Sequence, residues 1–198
     1  MQAQNTIFAD PVATLPKVWT DEDLDRLESE TDRQYELVNG IPKEKGPESM
    51  EHSYIAANLT GEIRAFVKLH KLGIALESSA TYRMSGGNNR KPDVSFVAKD
   101  RLPEKRLTTK PFDGAPDLAV EVISPTDIWW EILEKLNQYF SSGCRLVWLI
   151  SPPDQTVLVY RADRRSHFLQ VGDSLDGEEV IPGFTMPVVE LFAELNFD

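Results

Sequence analysis

The sequence predicts an α/β fold, a mixed central β-sheet flanked by helices, and three patterns carry that prediction. Residues 117–123 (DLAVEVI) alternate in period 2, residues 128–140 place apolar side chains on one broad helical arc, and residues 145–150 (RLVWLI) are again strand-like. Residues 55–67 form a second helical stripe, with Ile55, Leu59, Ile63, Phe66 and Val67 recurring at helical spacing. Asn39-Gly40 joins two short runs and is a dipeptide strongly biased toward hairpin turns.

In chain order, residues 1–18 carry Pro11 and Pro16 without periodicity and read as a loose arm, with a single domain expected over 19–198. Thr20 is a plausible N-cap for a helix over 19–30, its acidic first turn suiting the helix dipole. Two short strands then flank Asn39-Gly40, with Tyr35, Leu37 and Ile41 expected on one face. A helix over 49–72 ends at Gly73, and GIALES and TYRM follow as strands before a turn at Ser85–Asn89. PDVSFV at 92–97 is the next strand, followed by a charged connection of about twenty residues, of a length that is commonly functional or mobile. After the 117–123 strand comes a helix over about 126–142, on whose apolar arc Ile128, Trp129, Ile132, Leu133, Leu136, Tyr139 and Phe140 fall. Strands over 145–150 and 156–161, the HFLQV and GEEVIPGF segments, and a short helix around 188–195 complete the chain.

Composition excludes several classes. No apolar run reaches the roughly 18–20 residues of a membrane span, and the first residues show no basic start followed by an apolar stretch, so a cytoplasmic protein is expected. Cys144 is the sole cysteine and can form neither an internal disulfide nor a CxxC metal site. A net charge of −11 argues against a protein that coats nucleic acid with a generally basic surface. Positive charge is nevertheless locally concentrated at Arg83, Arg90 and Lys91 and again at Arg101, Lys105 and Arg106. No HExxH, GxSxG or Walker pattern is present.

The chemistry-bearing residue types converge on two acids and a lysine. Glu121 lies inside an apolar strand, and burying an unpaired carboxylate costs several kcal/mol, so it needs a cation, a proton or a metal. Asp93 begins the strand before it, and Lys135 sits at the edge of the apolar arc of the helix after it. Each also has a plain reading: Asp93 as a cap on backbone amides, Glu121 as a buried ion-pair partner, and Lys135 as a snorkelling lysine. His52 and His70 read as helix-surface or packing histidines.

Pro92-Asp93, the strand carrying Glu121 and Ile123, and a lysine in the next helix together resemble the PD-(D/E)XK nuclease superfamily. Within it, the blocks at 33–40, His52, 92–97, 121–127, 134–143 and 145–153 are similar, in order, to a family of uncharacterised restriction-endonuclease-like domains. The resemblance spans Trp19 to Phe192. The superfamily lysine stands two residues after the acid, where this chain has Ile123; Lys135, four residues before Tyr139, takes its place from the helix. The resemblance implies a restriction-endonuclease-like core and a Mg²⁺-dependent endonuclease acting on DNA, with Mn²⁺ able to substitute. It implies Asp93, Glu121 and the Val122 carbonyl as metal ligands and Lys135 as the group that positions the attacking water. Glu36, His52 and Tyr139 would support the site, and Arg83, Arg90, Lys91, Arg101, Lys105 and Arg106 would meet DNA. A nuclease fold that binds or assembles without cutting and an interaction protein with a structural ion-pair cluster are the alternatives to be tested, and a homodimer is the candidate assembly.

Overall fold

A computed structural model describes residues 17–193; residues 1–16 of the expected arm and 194–198 lie outside the described part. Thr20 caps α1 (Asp21–Thr31) in a capping box with Asp23. β1 (Tyr35–Val38) and β2 (Ile41–Glu44) pair about Asn39-Gly40, whose φ angles of 53° and 77° are those a tight primed turn requires. Ser49 caps α2 (Met50–Leu69), which leads into β3 (Gly73–Glu77), β4 (Tyr82–Met84), β5 (Asn88–Arg90) and β6 (Val94–Ala98). Two 3₁₀ turns and β7 (Phe112–Asp113) precede β8 (Leu118–Val122), α3 (Trp129–Ser141) and β9 (Leu146–Ser151). β10 (Thr156–Arg161), β11 (Ser166–Gln170), β12 (Ser174–Asp176), β13 (Thr185–Pro187) and α4 (Val188–Leu191) follow.

The strands form a six-stranded sheet ordered β11-β10-β9-β8-β6-β3, a five-stranded sheet ordered β2-β1-β5-β4-β7, and the β12–β13 pair. The larger sheet is mixed. β8 and β9 run parallel, joined by the α3 crossover that a parallel pair needs, while its other neighbours are antiparallel. Strand alternation divides the core. Val94, Phe96, Leu118, Val120, Trp148 and Ile150 face α2 and α4, whereas Val97, Ala119, Val147 and Leu149 face α3, Tyr82 and Met84. Ile55, Leu59, Ile63 and Val67 of α2 are fully enclosed. At about 1.5–3 kcal/mol per buried side chain, roughly 6–12 kcal/mol fixes this helix, and its first turn with it, against the sheet.

Four expectations are corrected. Ile41 does not share a face with Tyr35 and Leu37: the hairpin register pairs it with Val38, on the opposite face, and it is 67% exposed on the edge strand. The helix after β8 starts at Trp129, since Ser124–Asp127 is held as a turn by the Ser124 N–H on Asp127, and this leaves Ile128 and Trp129 outside the buried arc. The connection after β6 is folded into 3₁₀ turns and β7 instead of running as a plain loop. The C-terminal helix closes at Leu191, ahead of the 195 boundary.

Candidate active site

The antiparallel register of β6 and β8 pairs Val94 with Val120, so one step further along Asp93 stands opposite Glu121. Cross-strand partners share a face, and the two carboxylates meet at one end of the central sheet. The end of β2 and the first turn of α2 reach the same place, bringing Lys45, Glu48 and His52. α3, crossing back from β8 to β9, supplies Lys135 and Tyr139. These side chains line a cavity of about 360 Å³ together with Glu36 and Val122; Tyr139 sits behind it, in a smaller space beside Glu121.

Each acid is held by several donors. Asp93 Oδ2 accepts the Val122 N–H at 2.8 Å and lies 3.0 Å from His52 Nε2, and its Oδ1 accepts from Lys45 Nζ at 2.8 Å. Lys135 Nζ donates to Glu121 Oε2 at 2.9 Å, and the Tyr139 hydroxyl donates to Oε1 at 2.5 Å. Glu36 is buried, accepting from Arg90 Nη1 at 2.7 Å and from the Lys91 N–H at 2.8 Å. Gln138 takes the Arg90 Nε–H at 2.7 Å, tying this acid to α3.

The environments pull the two acids apart. Burial opposes ionisation of Asp93, but His52 and Lys45 outweigh it and hold its carboxyl well below the usual range. At Glu121 burial wins over the pull of Lys135, helped by repulsion from Asp93 and Glu36, and the pKa is raised. Burial alone would lower the His52 pKa; its bonding to Asp93 and Glu48 raises it to about 9. Lys135 and Lys45 are held in their charged forms, the acids around them outweighing the cost of burial.

The donor set suits a divalent cation. Asp93, Glu121 and Glu48 offer the carboxylate oxygens that Mg²⁺ prefers, and Glu48, His52 and Asp93 have ligand atoms within 4.8 Å of one another. That closest-knit group omits Glu121 and includes a nitrogen ligand, which Mn²⁺ accepts more readily than Mg²⁺. Lys45 Nζ also lies 2.9 Å from Glu48 Oε1, so its ammonium bridges oxygens that an ion would use.

The structure thus brings Asp93, Glu121, Val122, Lys135, Glu36, His52 and Tyr139 together, and adds Lys45 and Glu48, which sequence reasoning missed. Their signal was faint: a lysine and a glutamate beyond a hairpin, seven and four residues before His52, with no pattern of their own to mark them. Of the expected DNA-contacting cations only Arg90 lines the cavity. Arg90 is 3% exposed and spent on Glu36, and Lys91 is 5% exposed and paired with Glu28 at 2.5 Å. Arg83 is tied to Asp21 and Asp113. Arg101 pairs with Asp117, at the opposite end of β8 from Glu121, because β6 carries the chain away from Asp93 before the connection begins; Lys105 and Arg106 follow it there, exposed but remote from the cavity.

Three comparisons bear on this arrangement. A family described as "Uma2: Putative restriction endonuclease" matches residues 21–189. The fold superposes on a crystal structure of "a putative nuclease belonging to DUF820" from Anabaena variabilis ATCC 29413 with a TM-score of 0.73 and 23% identity, covering 85% of this chain and 96% of that one. That likeness concerns the fold. No curated protein matches the chain.

Proposed function

The chain belongs to the Uma2 family, and from that premise we propose that it is a Mg²⁺-dependent endonuclease that hydrolyses DNA phosphodiester bonds in the cavity beside Asp93 and Glu121. The observation that carries this reading is the placement of Asp93 opposite Glu121 with Lys135 2.9 Å from Glu121, two acids and a lysine at one sheet end. Asp93 and Glu121 would hold the ion, with Mn²⁺ as a substitute and Val122 adding its carbonyl. Such an ion supplies positive charge at the phosphate and acidifies a water.

The chain's own groups would do the rest. Lys135 orients the attacking water and adds a positive charge where the transition state gains negative charge. Tyr139 fixes the Glu121 carboxylate through its hydroxyl, and His52 fixes Asp93. Lys45, paired with Asp93 and Glu48, would have to give up those oxygens for them to serve as metal ligands. Glu36 stays with Arg90 and keeps the floor of the cavity charge-balanced.

Labelled DNA incubated with Mg²⁺ or Mn²⁺ should be cut by the wild-type protein, and chelator or Asp93→Ala should abolish the products. Absence of any metal-dependent product from single-stranded and duplex DNA would defeat the proposal. One observation favours a second reading, a binding module that does not cut: among the described residues, every lysine and arginine lining the cavity is already in an ion pair. Metal affinity without turnover would select that module, and no metal affinity would select a purely structural ion-pair cluster.

A further inference from the structure

The cavity that would do the chemistry is poorly furnished to hold a duplex. Among the described residues, nine carboxylates and four lysine or arginine side chains line it, and the four cations are all paired: Lys43 with Glu131, Lys45 with Asp93 and Glu48, Arg90 with Glu36, and Lys135 with Glu121. A duplex carries about one negative charge per 1.7 Å of axis, twice the linear density of a single strand, and would meet this rim at a disadvantage.

The helix that brings Glu131, Glu134 and Lys135 to this cavity opens with an aromatic surface. Trp129 and Trp130 open α3 at 51% and 74% exposure, while the buried stripe of the helix is made by Ile132, Leu136 and Tyr139. Trp130 stands one turn before Glu134 on the same helical stripe and directly before Glu131, and both of those acids line the cavity. Two adjacent indoles left exposed at the start of a helix whose next turn lines a cavity are informative where scattered exposed aliphatic residues are not. An exposed indole can stack on an unpaired base, a contact worth about 1–3 kcal/mol that tolerates any base and that a paired base in a duplex does not offer.

We infer that Trp130, assisted by Trp129, stacks on an unpaired base of the substrate and selects single-stranded or locally unpaired DNA. The inference rests on the phosphodiesterase reading of the cavity and names its substrate class. Trp130 is a specificity-determining contact outside the metal and lysine machinery.

The test is fluorescence anisotropy with a labelled twelve-nucleotide oligothymidylate and its blunt duplex, in chelator so that binding is read without cleavage. Single-strand binding should be at least about tenfold tighter than duplex binding. Trp130→Ala should weaken it about tenfold and Trp130→Phe should restore most of the loss, as stacking on an aromatic ring requires. Equal affinity for duplex, unchanged single-strand affinity in Trp130→Ala, or no binding by the wild type would overturn the inference. So would a fall from dimer to monomer in Trp130→Ala by sedimentation, which would make the indoles a contact between copies. Cleavage measured separately distinguishes the two claims. Tryptophan-dependent binding with no metal-dependent cleavage sinks the hydrolase alone, and efficient duplex cleavage indifferent to Trp130 sinks the stacking alone.

Discussion

Removing the Lys135 ammonium should produce two separable losses. The first is in stability: taking away one partner of a buried ion pair costs about 3–5 kcal/mol, because the remaining charge is stranded. Here the lysine side chain is one-quarter exposed and Glu121 keeps the Tyr139 hydroxyl, which places Lys135→Ala near the lower end, about 3 kcal/mol. Glu121, its pKa already raised by burial, can also take up a proton to limit the damage. An ion bound to Glu121 would replace the missing positive charge, so the loss in urea unfolding should shrink when Mn²⁺ is added. The second is in catalysis, a drop of roughly a hundredfold or more in the single-turnover cleavage rate, the scale of losing one preorganised electrostatic contact. Lys135→Met keeps most of the packed stem and should be as slow as Lys135→Ala while packing better. Wild-type cleavage in Lys135→Met would refute the role of the ammonium and leave a snorkelling lysine in its place.

Three further outcomes follow from the same geometry. Lys45→Met should bind Mn²⁺ more tightly in calorimetric titration, because its ammonium occupies oxygens of Asp93 and Glu48; weaker binding would show that Lys45 supports the ion rather than competing with it. His52 is raised to about 9 in the folded protein, above its unfolded value near 6.5, so its stabilisation is fully present below about pH 6.5 and is lost as pH rises through 9. Thermal unfolding in chelator should therefore fall across that window for the wild type and stay flatter in His52→Gln, and parallel curves would exclude the interaction. Charge reversal at the exposed Arg106 should change DNA affinity less than twofold, because the chain reaches it at the sheet end away from the cavity; a large loss would extend the DNA footprint to that end.

The parts of the fold legible in the sequence were those with short-range causes. Alternation in 117–123, the helical stripe at 55–67 and the Asn39-Gly40 turn each specify their own geometry, and β8, α2 and the β1–β2 hairpin followed. Asp93 and Glu121 could be singled out because a carboxylate in an apolar strand needs an explanation, and the resemblance to known nucleases supplied one. Strand register put them opposite each other, which no local pattern states. Lys45 and Glu48 stayed hidden for the same reason: only the docking of the hairpin and of the α2 N-terminus against the sheet end gives them partners. The pairing of the basic residues was not legible, because charge in the sequence says nothing of neutralisation. Arg90 and Lys91 precede Asp93 in the chain yet are consumed by Glu36 and Glu28, acids from distant elements.

The claim at the centre is that Asp93 and Glu121 share one divalent ion, and the position of Mn²⁺ in anomalous diffraction from a soaked crystal measures it most directly. The prediction is a single strong peak within coordination distance of both carboxylates, with the Lys45 ammonium displaced from Asp93. A peak held by Glu48, His52 and Asp93 with Glu121 still bound only to Lys135 and Tyr139, or no peak at millimolar Mn²⁺, would contradict it.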